Sequence, residues 1–179
     1  MGRERGIGAD RVRELASAIV DTPAGDMAMV FDVDDATVYA AGFQPVTNLV
    51  MRVTSRYAWH GHATSLPHTL AEAFEAYGDG QIEALDGIVG VQPGAEFRQR
   101  VWRTLRQQHV PLSYGALADL VGVPRAARAV GTACATNLLG LIVPCHRVIR
   151  ADGALGHYGY GVDVKRRLLA HEARHADAP

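Results

Sequence analysis

No apolar run in this 179-residue chain approaches the roughly 20 residues that a membrane-spanning helix needs. The N-terminus, MGRERGIGADR, is charged and lacks the apolar stretch of a secretory leader. Cysteine is scarce, with Cys134 and Cys145 the only two. A chain of this length builds a core without disulfide staples, so free thiols in a reducing, cytoplasmic setting are expected. The first 90 residues hold no repeat and no low-complexity tract. Neither sign of charge dominates, and the net charge is -1. What is present is ordinary for a globular protein, 48% hydrophobic and 21% charged.

The near-zero charge conceals an asymmetry. Residues 1–90 carry 6 Lys+Arg against 13 Asp+Glu, and residues 91–179 carry 12 against 6. A polyanion would meet only the second half. Uneven bookkeeping over a neutral surface is the alternative.

The first half reads as a small α/β domain, 1–90. Residues 9–21 look helical, with Val12, Leu15, Ile19 and Val20 on one face. MAMVFDV and ATVYAAGF flank the acidic Asp34-Asp35 turn and read as a β-hairpin. Residues 46–53 fit a short helix or a third strand, and 55–67 look irregular. Residues 66–80 read as a helix ended by glycine, and IEALDGIVGV as a strand before the Pro93-Gly94 break. The expected fold is a small antiparallel sheet with helices, followed by a mostly helical C-terminal domain, 91–179.

In that second half, EFRQRVWRTLRQQ is amphipathic, with Phe97, Val101, Trp102 and Leu105 inward. Ser113 is a suitable N-cap for YGALADLVG. Gly122 and Pro124 then restart the chain into RAARAVGTACATN, a helix-turn-helix pattern. On the second helix Arg125, Arg128, Ala129, Thr132 and Thr136 share an arc about 100° wide. Val123, Ala127, Val130 and Cys134 lie opposite, so Cys134 reads as a small core residue. An outward face of small side chains and two arginines lets a helix approach a nucleic-acid groove closely. An alanine-rich surface helix is the alternative.

The segment LIVPCHRVIR carries the chemistry. A strand-like apolar run stops at Pro144, and Cys145, His146 and Arg147 follow. A thiol becomes a nucleophile by losing its proton to a nearby base. Adjacent side chains point apart, so contact between Cys145 and His146 requires a turn or a bridging water. An acid elsewhere would orient the imidazole. Taken alone, a Cys-His pair is more often incidental than catalytic.

PCHRV, with Asn137 seven residues before its proline and a Gly-rich turn after it, resembles the O6-alkylguanine-DNA alkyltransferase family. The likeness runs from about Thr22 to Arg174, weakly through TPAG and strongly from EFRQRVW to LLAHE. It implies minor-groove binding to double-stranded DNA by the helix-turn-helix, and flipping of the O6-alkylguanine, since a thiolate cannot reach a stacked base. It implies that Arg128 fills the gap in the stack. Tyr114 would rotate the nucleotide's phosphate and donate a hydrogen bond to the base. Cys145 would attack the alkyl carbon, His146 would act as its base through water, Glu172 would hold His146, and Asn137 would brace the turn. Backbone groups of Cys145 and Val148 would read the guanine edge, with Tyr158, Gly159 and Tyr160 walling the pocket. Ser113, Arg125, Ala129 and Thr132 would complete the DNA face. The thioether product implies one turnover per molecule, with O4-alkylthymine as a second substrate. The chain is expected to act as a monomer without metal or cofactor.

The resemblance also accounts for HEARH, residues 171–175, which matches the H-E-x-x-H zinc-peptidase pattern. Glu172 is claimed by the Cys-His relay, and few residues follow to supply a third metal ligand. WHGH, residues 59–62, reads as a loop rather than a ligand site. Three positions depart from the family. Gly159 stands where some members have serine, Tyr160 where many have glycine, and NLLG lacks the prolines common after the asparagine. A non-catalytic lesion binder of this framework would lack the cysteine. A sequence-reading regulator would need Asn or Gln on its recognition face.

Overall fold

The structure, a computed structural model, describes residues 13–53, 58–62 and 65–176. Four strands, β1 (Glu14–Val20), β2 (Met27–Asp32), β3 (Val38–Gly42) and β4 (Ala58–His62), form one sheet in the order β3-β2-β1-β4. The β1–β2 and β2–β3 pairs are antiparallel, and β4 joins β1 in parallel. The β2–β3 hairpin is the expected one. Its acidic turn is closed by side chains, with Asp32 accepting from the Asp34 N–H and Asp35 from the Thr37 N–H, both at 2.9 Å.

The helix expected over 9–21 is instead strand β1, with residues 9–12 outside the described residues. β1 lies between β2 and β4, and Leu15, Ala16, Ser17 and Val20 are all buried. A strand covered on both faces loses its period-2 alternation, which let a 3.6-residue pattern fit it equally well. β2 shows how the two faces divide. Ala28 and Val30 pack toward helix α1 (Val46–Val53) with Leu49, Val50 and Val53. Met27, Met29 and Phe31 face the main core. The ambiguous 46–53 segment is thus a helix. β4 corrects the irregular reading of 55–67 and places WHGH on a strand rather than a loop.

Helix α2 (His68–Gly78) follows as expected. IEALDGIVGV is not a strand: Ile82–Leu85 form a 3-10 turn, and only Gly90 bridges to Val38. Helices α3 (Glu96–Arg106), α4 (Tyr114–Leu120) and α5 (Ala127–Ala135) build the second half with α6 (Val162–His175). Val101, Trp102 and Leu105 of α3 are buried as expected, and Phe97 is half-buried. One continuous core runs from Met27 and Phe31 through Trp102 and Leu117 to Leu168.

Two main-chain bonds stitch the halves together. The Ala41 N–H donates to Leu138 O, and the Gly140 N–H donates to Ala41 O, both at 2.8 Å. The turn after α5 is therefore laid along β3. The apolar run LIV is a buried turn rather than a strand, with Leu141 at φ +69°. A short parallel pair, β5 (Leu112–Ser113) with β6 (Val148–Ile149), ties the start of α4 to the segment after Cys145.

Candidate active site

Cys145 begins a 3-10 turn, Cys145–Arg147, directly after Pro144. Its thiol is buried, but the residue lines a cavity of about 300 Å³. Tyr114, Asn137, Tyr158, Gly159 and Tyr160 line the same cavity. The structure thus brings together around one thiol five residues drawn from between Tyr114 and Tyr160.

Asn137 holds that thiol from below. Its Nδ2 donates to Val143 O at 2.9 Å and to Cys145 Sγ at 3.2 Å. Burial pushes the Cys145 thiol up, and the Asn137 hydrogen bond and the Lys165 ammonium pull it back down. Lys165 is the only lysine of the chain and is fully buried on α6. Its Nζ donates to Val148 O at 2.6 Å and to Leu155 O. Burial lowers its pKa, while the two cysteines oppose that shift.

Cys145 and His146 share no direct hydrogen bond, as expected for neighbours in a tight turn. His146 turns away and places Nε2 at 2.8 Å from Glu172 Oε1. An ionised carboxylate only accepts, so Nε2 carries the proton and Nδ1 keeps the lone pair. That Nδ1 is buried and has no hydrogen-bond partner among the described residues. Burial lowers the His146 pKa, and Glu172 opposes the shift.

Glu172 is a hub. Its Oε1 accepts from Tyr77 Oη at 2.9 Å and Arg147 Nη2 at 3.0 Å, and its Oε2 from Arg147 Nε at 3.0 Å. Burial alone would raise its pKa, but His146 and Arg147 outweigh it and bring the carboxyl down to about 2. HEARH is split by its own helix. His171 faces Tyr77 O at 2.8 Å, while Glu172 faces the relay.

The helix-turn-helix stands beside the cavity. Ser113 caps α4, its Oγ accepting from the Ala116 N–H at 3.0 Å. Arg128, Ala129 and Thr132 are exposed on α5. The Thr132 and Thr136 hydroxyls donate back to Arg128 O at 3.2 Å and Thr132 O at 3.0 Å, leaving a smooth face. Arg125 is not on the helix. It sits in the turn before it at φ +69°, still exposed. Cys134 packs against the main core as expected, but it is only half-buried and also lines the cavity.

Tyr158 is buried, and Gly159 is exposed at the mouth. Tyr160 is pinned, its hydroxyl donating to Ala41 O at 3.2 Å. Its ring lies against Gly42 and Gly140, where any Cβ would collide with it. The Val148 N–H donates to Cys145 O, and Val148 O is shared with Lys165.

Sequence reasoning missed Tyr77, Gln92, Arg147 and Lys165. Arg147 lay inside the motif, and Lys165 sits seven residues before Glu172 on the same helix face, so both carried a local signal. Tyr77 and Gln92 carried none, standing 95 and 45 residues from the side chains they bond.

A buried thiol with an Asn donor, followed by a hydrogen-bonded His–Glu pair, thus lines a cavity beside a helix-turn-helix, the arrangement of a candidate DNA-directed cysteine site. The comparisons agree. Residues 96–174 match the model for the 6-O-methylguanine DNA methyltransferase DNA-binding domain. Over 171 residues the chain is 41% identical to a methylated-DNA–protein-cysteine methyltransferase of Mycolicibacterium paratuberculosis, covering 89% of this chain and 93% of the relative. The Mycobacterium tuberculosis O6-methylguanine methyltransferase structure superposes with a TM-score of 0.70 at 29% identity, covering 92% of this chain and 96% of that one. The structure of Mycobacterium tuberculosis OGT in complex with DNA superposes with a TM-score of 0.68 at 29% identity, covering 90% and 94%. The chain belongs to the methylated-DNA–protein-cysteine methyltransferase family. Among the described residues no helix is long and apolar enough to cross a membrane.

Proposed function

We propose that this chain repairs O6-alkylguanine, and also O4-alkylthymine, in double-stranded DNA by irreversible transfer of the alkyl group to Cys145. The observation that carries this reading is that Cys145 lines a cavity of about 300 Å³ beside α5, while the next residue, His146, is hydrogen-bonded to Glu172. Residues 91–179 supply the DNA face and the chemistry, and residues 1–90 brace them. The protein works as a monomer in the cytoplasm, without metal or cofactor.

The steps follow from the groups present. Arg128 enters the minor groove and fills the gap left by the flipped base. Ser113, Arg125, Ala129 and Thr132 lie along the backbone. The carbonyls of Cys145 and Val148 each keep a second lone pair for the guanine amino group. The Cys145 proton passes through water to His146 Nδ1, and Glu172 stabilises the imidazolium. The thiolate then forms the S–C bond as the C–O6 bond breaks, and the electron pair stays on guanine. Burial, with Cys134 and Cys145 nearby, raises the Tyr114 pKa, so Tyr114 keeps its proton to donate to the base as that charge develops. The thioether has no simple reversal, so each molecule acts once.

Intact-protein mass after incubation with a duplex carrying one O6-methylguanine tests the reading. One added methyl per chain, mapped to the Cys145 peptide, is the expected result. No added mass with tight lesion binding would replace it with a non-catalytic lesion binder.

Two further outcomes are expected. Arg128→Ala slows methyl transfer from duplex by about 10- to 100-fold, since a flipped base is no longer compensated in the stack. Its reaction with free O6-methylguanine stays unchanged, and an equal loss on both substrates would remove Arg128 from the DNA step. The pinned Tyr160 ring makes O6-benzylguanine a poor substrate, and Tyr160→Gly makes it a better one. Rapid reaction of the unmodified protein with free O6-benzylguanine, at the rate seen with methylated duplex, would overturn the crowding argument.

A further inference from the structure

Gln92 lies between the two halves of the chain, before α3, and is 7% exposed. A buried primary amide must find partners for its donor and its acceptor. Both lie on the turn that carries Asn137. Gln92 Nε2 donates to Asn137 Oδ1 at 3.0 Å, and Gln92 Oε1 accepts from the Leu138 N–H at 2.7 Å. The Gln92 carbonyl is held from α3, accepting from Gln99 Nε2 at 2.7 Å. Asn137 Oδ1 also accepts from the Leu139 N–H at 3.0 Å, so both of its lone pairs are engaged. The other end of the Asn137 amide is then the only end left for Val143 O and Cys145 Sγ.

We propose that Gln92 is a positioning residue for the reactive thiol, holding the Asn137 amide so that its N–H rather than its carbonyl faces Cys145 Sγ. The chemistry is direct. An N–H facing sulfur stabilises the thiolate, and a carbonyl facing sulfur repels it. Gln92 touches neither thiol nor substrate, and it acts through Asn137 alone. The inference rests on the reading of Cys145 as the acceptor, but the state of the thiol is measurable without DNA.

The test is the rate of Cys145 carbamidomethylation by iodoacetamide against pH, read by peptide mapping so that Cys134 is scored separately. Two variants divide the possibilities. Gln92→Glu keeps the shape and the acceptor for the Leu138 N–H but cannot donate to Asn137. Gln92→Met removes both bonds without adding charge. Should Gln92→Met not fold, Gln92→Ser replaces it, with room for water at the Leu138 N–H. In both the charged and the neutral variant the midpoint of the pH curve is expected to move up by roughly one unit, about a tenfold loss of reactivity at neutral pH. Lowered thermal stability with an unmoved midpoint would make Gln92 a structural amide only and overturn the proposal. A shift in Gln92→Glu alone would be a charge effect and would overturn it equally. A wild-type chain that takes no methyl from DNA would remove the proposed function, yet the iodoacetamide curves would still decide the role of Gln92.

Discussion

Cys145→Ala is expected to abolish methyl uptake from O6-methylguanine duplex, by at least about 10⁴-fold in single-turnover rate. The thiol lines the cavity, accepts a hydrogen bond from Asn137 Nδ2 at 3.2 Å and is followed directly in the chain by His146, whose Nδ1 has no partner among the described residues. Cys145→Ser does not recover the rate, because the His146–Glu172 pair cannot bring an alcohol to its anion as it can a thiol. Cys134 does not take over. It lines the same cavity, but burial, aided by Cys145, pushes its thiol far above the neutral range. The check is intact mass with peptide mapping on Cys145→Ala and, in parallel, Cys134→Ser. Methyl found on Cys134 in the alanine variant would reassign the acceptor. Lesion binding is expected to survive in Cys145→Ala, since Arg128, Ser113, Ala129 and Thr132 on the proposed DNA face are unchanged.

Glu172→Gln is expected to cost the most stability. The carboxylate satisfies Tyr77, His146 and the Nε and Nη2 groups of Arg147. An amide of the same shape offers one acceptor where the carboxylate offers two, and leaves the buried Arg147 guanidinium without a counter-charge. Losing one partner of a buried ion pair costs about 3–5 kcal/mol. In a chain of this size that lowers Tm by roughly 10 °C.

The pH dependence follows from the sign of the shift. The Glu172 carboxyl is lowered from 4.5 to about 2 in the folded state. Its contribution is therefore fully present above pH 4.5 and is lost as pH falls toward 2. That loss amounts to roughly 3 kcal/mol. Urea denaturation at neutral pH and at pH 3 reads it: the gap between wild type and Glu172→Gln narrows in acid. A gap independent of pH would mean that the carboxylate charge does not stabilise the fold. Methyl transfer falls too, by about 10²-fold or more, because the imidazolium formed on His146 loses the charge that stabilises it.

Legibility in the sequence followed the range of the interaction. LIVPCHRVIR, the Ser113 cap, the α3 stripe and the Asp-rich hairpin turn are all decided within a few residues. Each was readable because the physical cause, a cap, a period or a turn, sits beside the residue it shapes. Arg125 was misplaced by two residues of helix start, since a left-handed turn residue leaves no mark on a helical wheel. β1 was misread because its character depends on pairing with β4 and on α1 and the main core covering its two faces, all contributed by segments distant in sequence.

The sequence by itself determined the motif, the candidate nucleophile Cys145 and the helix-turn-helix pattern, all from local pattern and the resemblance that pattern carries. Only the tertiary structure decided what holds the chemistry in place. Tyr77 reaches Glu172 across 95 residues, Gln92 reaches Asn137 across 45, and Tyr160 is pinned to Ala41 across 119. None of these partners differs in sequence from an ordinary core or loop residue. Their meaning comes from burial, which obliges every polar group to find a partner, and the chain finds those partners only when distant segments pack together.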